Sequence, residues 1–524
     1  MSVSARRRAV INAAGITLSQ GTAFLVGFLV LPFMIGRLGK EDFGLYQLVR
    51  SFLGYLPLLT LSTGPAIARY VTYAVGKNDL EAVNRFMSNG LAAVLGVASL
   101  LLAGGAVLSV YVPALGNFGP RVGEARWLVI LLTVTMALGF VRVLFNTPLY
   151  SRERLAEQAA IDVTTDLARG VCIVVLFLLL SPRLIWIGVA AVAGEILSTG
   201  IAVRCARRVF PWLRLAFSLM DRRSLVQLTA FSFYSTVSGL ALAFYYSTDF
   251  ILINWLFGSA GPRAIAVYTI GACWEPWFRS GFMPLIRIVI PRAILLSAQD
   301  RSGDMKRLLV MSVRYTTALV APACVLISIY AEPILTLWMG NRFTREEFQV
   351  AAMIVPTLCI PLIFTVGISP TSAAFLAESR VAVPAWALVA CAFAKVGLSL
   401  ALGTPSRWGL VGVAAGTSIT LTLNALVFQP LYLRRVCGLG ARELFVSGFL
   451  PAWVLATLLG LVAGVLHVAL PLRGIIPLFA ALAFCLVFYL AGVYKYVLFP
   501  EDRERVINSF RGILRTRRGE PEAD

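Results

Sequence analysis

The sequence is short of charge and almost without histidine. Only 14% of its 524 residues are Asp, Glu, Lys or Arg, and His467 is the single histidine. A soluble domain carries roughly 25% charged residues, so a soluble enzyme is excluded. One histidine furnishes neither a His-based metal site nor a His-dependent triad, and no metal or cofactor is expected. The eight cysteines form no C-x-x-C pair, and most fall in apolar stretches, where free thiols act as small hydrophobes. There is no G-x-x-x-x-G-K-[ST], so no P-loop ATPase, and no H-E-x-x-H or D-x-D. Long polar segments are missing too, which leaves no room for a soluble catalytic domain.

Apolar residues fill the chain instead. They make up 59% of it, and mean hydropathy is +0.82. A spanning helix needs about 20 apolar residues, and the apolar runs continue from end to end. Exposed backbone inside a bilayer must be satisfied within its own segment, which leaves helix or closed barrel. The runs lack the period-two alternation of a barrel. The expected fold is therefore an all-α polytopic membrane protein, with about 14 transmembrane helices in two pseudo-symmetric lobes. Residues 1–203 would form an N-terminal lobe of six helices, and 204–224 a basic cytoplasmic connector. Residues 225–431 would form a C-terminal lobe, 432–498 two additional helices, and 499–524 a cytoplasmic basic tail. The stretch after Arg6, Arg7 and Arg8 is too long for a signal peptide and reads as a retained first helix.

The net charge of +20 would suggest nucleic acid in a soluble protein. Here the basic residues sit in short segments between apolar runs, so no nucleic-acid partner is expected. With the N-terminus inside, the inner segments hold 29 of the 46 Lys and Arg, against 10 in the outer ones. That excess places both termini in the cytoplasm. The connector carries Arg204, Arg207, Arg208, Arg214, Arg222 and Arg223 among Phe210, Trp212 and Phe217. It reads as an amphipathic interfacial segment, or as a grip on anionic lipid head groups.

The halves repeat weakly. Phe43-Gly44-Leu45-Tyr46 follows the first span, and Ala266-Val267-Tyr268 follows the seventh, at an offset of about 220. The polar turn Gly76-Lys77-Asn78-Asp79 likewise has a counterpart in Gln299-Asp300-Arg301-Ser302-Gly303-Asp304. Parallel repeats of this kind are a transporter architecture.

Twelve charges fall at membrane depth: Arg50, Arg142, Asp162, Asp166, Arg169, Glu195, Asp249, Glu275, Arg279, Arg287, Arg314 and Lys395. Each costs about 2.5–3.5 kcal/mol on insertion scales, so each should face protein or water. Seven are basic, so a cavity lined by them would favour an anionic substrate. Asp166 with Arg169, and Glu275 with Arg279, are spaced to pair on one helix face, as structural ion pairs or as parts of a site. Arg50, Arg142 and Lys395 have no partner on their own helix and suit phosphate. Glu195 has no local cation and reads as a protonated carboxyl, inert or proton-carrying. Ser235, Ser238, Tyr245 and Asp249 form a polar stripe, and Asn12, Gly15, Ser19 and Thr22 form another; either lines a sugar path or packs helices.

With these residues assembled, the sequence resembles the bacterial oligosaccharide flippases, the O-antigen transporter group of the multidrug/oligosaccharidyl-lipid/polysaccharide exporter superfamily. The resemblance rests on Leu38-Gly39-Lys40-Glu41-Asp42-Phe43-Gly44-Leu45-Tyr46, Ala68-Arg69-Tyr70, Gly76-Lys77-Asn78-Asp79, Thr248-Asp249-Phe250-Ile251-Leu252-Ile253 and Val267-Tyr268. It implies fourteen helices in two lobes, a central cationic cavity and alternating access in a bacterial inner membrane. The expected function is flipping of undecaprenyl-pyrophosphate-linked oligosaccharide for polysaccharide or O-antigen biosynthesis. Arg50, Arg142, Arg169, Arg279 and Lys395 are the candidates for binding the substrate, and Glu195, Asp249 and Glu275 for coupling. Partners would be the lipid-linked substrate, membrane lipids, and a glycan polymerase with other assembly proteins. The alternatives are a small-molecule exporter of the same superfamily and a membrane glycosyltransferase or ligase.

Overall fold

A computed structural model of the chain describes residues 3–56, 63–116, 118–222, 224–225, 233–378, 380–470, 474–499 and 502–503. The protein is all-helical, with 89% of it in helix and no strand among the described residues. Backbone N–H and C=O groups are thus paired inside each segment, as a bilayer requires.

The longer helices are α1 (Val3–Leu38), α2 (Lys40–Leu53), α3 (Thr63–Gly76), α4 (Leu80–Val110), α5 (Val122–Ser151), α6 (Leu155–Leu179) and α7 (Leu184–Val209). They are followed by α8 (Phe233–Phe257), α9 (Gly261–Ala272), α10 (Trp274–Ala298), α11 (Ser302–Ile329), α12 (Ala331–Met339) and α13 (Arg345–Ile368). Then come α14 (Ala382–Leu402), α15 (Gly409–Leu423), α16 (Gln429–Cys437), α17 (Leu450–Ala469) and α18 (Ile475–Gly492).

Among the described residues, eleven helices are long and apolar enough to cross a membrane. Three of the fourteen expected spans do not stand among them as separate helices, each for a physical reason. The second, Phe43–Ala68, is interrupted: α2 ends at Leu53, and residues 57–62 lie outside the described residues. The fifth coincides with α6, whose Asp162, Asp166 and Arg169 dilute its apolar content. The seventh and eighth run together as Phe244–Phe282, because only a short tight turn at Gly258–Ala260 separates α8 from α9.

Packing divides the chain into two compact units. The first comprises Met1–Pro284, Trp338–Ile354 and Val381–Thr420. The second comprises Leu285–Leu337, Val355–Arg380 and Leu421–Asp524. These units cross the expected lobes: α8, α9 and α14, placed by sequence in the second lobe, pack in the first unit.

In the first unit, α5 lies between α4 and α7, α1 runs along α6, α8 pairs with α14, and α2 pairs with α9. The last pairing joins the two repeated motifs. A side chain at Gly44 would overlap the Pro262 carbonyl, so only glycine lets the two backbones meet. In the second unit, α11 packs on α17 and α17 on α18. Three single π-helical stretches, Asn424–Phe428, Leu444–Phe449 and Val493–Val497, all lie in this unit.

The repeated polar turns share one geometry. Asn78 (φ 55°) and Asp300 (φ 53°) both adopt the left-handed conformation. In both, the next residue's N–H closes a six-residue bond, Asp79 to the Ala74 carbonyl and Arg301 to the Leu296 carbonyl. This is a Schellman ending, with Asn and Asp in the position that tolerates positive φ. Glu153 (φ 56°) and Arg154 repeat it after α5.

The basic connector is also anchored to protein. Three of its backbone N–H groups are held by α4: Arg214 by Asn84 Oδ1 at 2.9 Å, Ala216 by Ser88 Oγ at 3.2 Å, and Asp221 by Asn89 Oδ1 at 3.1 Å. Phe210 is buried in a core with Ile67, Val71, Met87 and Leu144, and Trp212 and Leu213 pack against it. The connector is a strap laid along α4, with Phe210 and Trp212 turned into protein.

Candidate functional site

The charges at membrane depth come together from different helices. On α5, Arg142 reaches two carboxylates at once. Its Nε donates to Glu195 Oε1 on α7 at 2.7 Å, and its NH1 to Asp162 Oδ1 on α6 at 2.6 Å. Glu195 is almost wholly buried, Arg142 partly exposed, and Asp162 more open, with 41% of its side chain accessible. The group therefore has a closed end at Glu195 and an open end at Asp162. Glu195, expected to lack a cation, has one supplied by a neighbouring helix. Two carboxylates facing one guanidinium leave a net negative charge, which suits a proton or another small cation.

Asp166 and Arg169 form no ion pair, although their spacing allows one. Arg169 is half-buried, and its Nε has no hydrogen-bond acceptor among the described residues. Its backbone packs under Gly194, where an added side chain would press on it.

The second cluster joins α8, α9, α14 and α15. Lys395 is fully buried, and its Nζ lies 2.9 Å from Asp249 Oδ1. Tyr268 donates to Asp249 Oδ2 at 2.8 Å, and Thr417 donates to the same oxygen at 3.2 Å. Lys395 also donates to the Tyr245 carbonyl, and the Tyr245 hydroxyl meets the Thr417 carbonyl and the Thr420 hydroxyl. Asp249 Oδ2 is thus hydrogen-bonded twice, whereas Asp249 Oδ1 has the Lys395 charge beside it but no hydrogen-bond donor among the described residues. A buried ion pair of this kind is costly to break by removing one partner, because the other charge is left uncompensated.

The third cluster is local. Arg279 Nε donates to Glu275 Oε1 at 2.8 Å along one face of α10. The Arg279 guanidinium also stands 5.3 Å from the Tyr246 ring centre. Glu275 is buried, while about a quarter of the Arg279 side chain stays accessible, 24%.

Of the candidate cations, then, Arg142, Arg279 and Lys395 each hold a carboxylate, and those carboxylates include all three coupling candidates, Glu195, Glu275 and Asp249. Arg50 is exposed on α2 and has no ion-pair partner among the described residues. The polar stripe of α8 turns Tyr245 and Asp249 into the second cluster; the side chains of Ser235 and Ser238 lie outside the described residues. The α1 stripe serves packing. Asn12 bridges to the turn before α6, donating to the Glu153 carbonyl at 2.7 Å and accepting from Ala156 N–H at 3.0 Å. A side chain at Gly15 would strike the Ala156 backbone.

Sequence reading missed a further ionic group. Glu347, at the start of α13, binds Lys40 at 2.5 Å and Arg263 at 2.7 Å. It ties the starts of α2, α9 and α13 together. Nearby in sequence, Asp42 pairs with Arg121; burial pushes the Asp42 carboxyl up, and Arg121 opposes that shift. The family motif that contains Lys40 and Asp42 was legible, but its partners lie far along the chain.

Helices of this length, with charge clusters shared between them, define a multi-pass membrane protein. The profile of the polysaccharide biosynthesis protein family matches residues 9–273, and that of the lipid II flippase MurJ matches residues 284–483. The chain belongs to the polysaccharide biosynthesis protein family. It is 23% identical over 504 residues to EpsK, an uncharacterized membrane protein of Bacillus subtilis (strain 168), covering 94% of this chain and 96% of the relative. A protein of Shigella flexneri provisionally named O-antigen transporter is 22% identical over 421 residues, covering 78% and 94%. Among solved structures, the lipid II flippase MurJ in an inward closed conformation superposes with a TM-score of 0.67 at 14% identity, over 92% of this chain and 98% of that one. That likeness is one of fold.

Proposed function

We propose that the protein flips an undecaprenyl-pyrophosphate-linked oligosaccharide across the bacterial inner membrane by alternating access. The observation that carries this reading is the double family match: a polysaccharide biosynthesis profile over the first half and a lipid flippase profile over the second. The chemistry at membrane depth supports it. A diphosphate crossing a bilayer needs guanidinium donors that do not require water. Arg50 and Arg169 keep free donor capacity, and Arg279, opposed by the single carboxylate of Glu275, is partly accessible, so these three are the proposed diphosphate contacts, while Arg142 is taken up by two carboxylates. Lys395 belongs with Asp249 in a group that holds helices together or takes part in coupling. Glu195 with Asp162, and Glu275, are the proposed coupling carboxylates. In this reading both termini face the cytoplasm, and residues 1–203 and 225–431 are the two lobes that alternate.

Reconstitution tests the reading. Purified protein in vesicles should move a lipid-linked oligosaccharide between leaflets, and Arg169→Ala or Arg279→Ala should lower that rate at least tenfold with unchanged membrane abundance. No translocation by the unaltered protein would refute the function. Full rates in both variants would remove these arginines from the site.

A further inference from the structure

The cytoplasmic end of α7 carries a feature that none of the clusters above uses. Its exposed positions are Ala193, Ile196, Leu197, Gly200, Arg204, Arg207 and Arg208. They recur at helical spacing and form one continuous stripe. The opposite face, Ala190, Ala191, Gly194, Ser198, Ala202 and Ala206, is buried in the first unit. Along the stripe the character changes sharply. The first half is apolar, with Ile196 57% and Leu197 47% exposed. The second half is three arginines with no ion-pair partner among the described residues.

Between the two halves the surface is hollow. Gly200, Val203, Arg204, Arg207 and Arg208 line an open recess of about 490 Å³. At Gly200 even an added Cβ would meet nothing within 4 Å. The backbone that follows the arginines is anchored. The chain turns at Phe210, which is buried, and the strap is fixed to α4 by Asn84, Ser88 and Asn89. An apolar track running into a cationic end, about 18 Å from Ile196 to Arg208 at 1.5 Å per residue, has the layout of one lipid molecule: acyl chain, then head group.

We propose that this stripe is a binding site for one anionic phospholipid, with its phosphate on Arg204, Arg207 and Arg208 and an acyl chain along Gly200, Leu197 and Ile196. A free phosphate would use only the arginines and would have no use for the apolar half. The site is separate from the membrane-depth clusters and does not depend on the transported substrate.

The full chain is reconstituted in phosphatidylcholine nanodiscs with rising phosphatidylglycerol, extracted, and analysed for retained lipid by native mass spectrometry. The unaltered protein should retain phosphatidylglycerol over phosphatidylcholine. The Arg204→Gln/Arg207→Gln/Arg208→Gln variant should retain at least threefold less. Gly200→Phe, which fills the recess without changing charge, should reduce retention similarly, and decides the matter if the triple variant does not fold. Neutralising Arg434, Arg435 and Arg442, exposed basic residues elsewhere, should leave retention unchanged. Equal loss in that control would reduce the effect to general surface charge and overturn the site. Unchanged retention in both α7 variants would overturn it as well. Complete displacement of the lipid by millimolar inorganic phosphate would mark a small-anion site and refute the acyl half.

Discussion

Lys395 is where a single side chain carries the most. It is fully buried and opposes Asp249, which also accepts from Tyr268 and Thr417. Removing one member of a buried pair leaves an uncompensated charge and costs about 3–5 kcal/mol, whereas removing both can be nearly neutral. Lys395→Met should therefore lower the thermal unfolding midpoint in detergent markedly, and the Asp249→Asn/Lys395→Met double variant should recover much of the loss. Equal destabilisation by both would mean that the pair is not coupled. Gly44 sets a second residue-scale limit. Gly44→Ala must push α2 off the Pro262 carbonyl, while Gly21→Ala, with nothing within 4 Å of the new carbon, should be silent. Folded yield from membranes separates the two.

Between helices, distance along the chain decided what was readable. Glu275 and Arg279 lie one turn apart on α10, and their pairing followed from spacing alone. Arg142 and Glu195 are 53 residues apart, and only the packing of α5 on α7 brings them together. The same limit explains Asp166 and Arg169. Local spacing permits their contact, but the direction each side chain takes is set by packing, and the start of the Arg169 side chain lies against Gly194 of α7. The anchorage of the connector was illegible for a related reason. Its own composition is amphipathic, yet its course is fixed by Asn84, Ser88 and Asn89 on another helix. An unsatisfied buried N–H costs about 1–3 kcal/mol. Asn84→Ala/Asn89→Ala should thus raise amide exchange at Arg214 and Asp221 at least tenfold. Exchange left as it was would mean that the strap holds by its aromatic residues alone.

At the scale of the whole molecule, composition already dictated a helical, multi-pass protein, and the structure agrees. The boundaries of its packing units were not legible, because they follow contacts between α8, α14 and the first helices rather than the repeat. The repeat does persist in the turns, where Asn78 and Asp300 share a left-handed geometry. In the proposed orientation both turns face the cytoplasm, and the Lys40–Glu347–Arg263 tie faces outward. A cysteine placed at Asn341 should react with an impermeant maleimide added to intact cells, whereas cysteines at Asn78 or Asp300 should react only after lysis. The reverse pattern would invert the topology.

The strap along α4 has an asymmetric consequence. The bonds from Asn84 and Ser88 engage main-chain N–H groups at 214 and 216, so almost any non-proline residue can stand at those two positions without loosening them. The instructions for its path are written on the helix beneath. The cationic content of this stretch is accordingly free to be retuned to a given membrane while the anchorage stays the same.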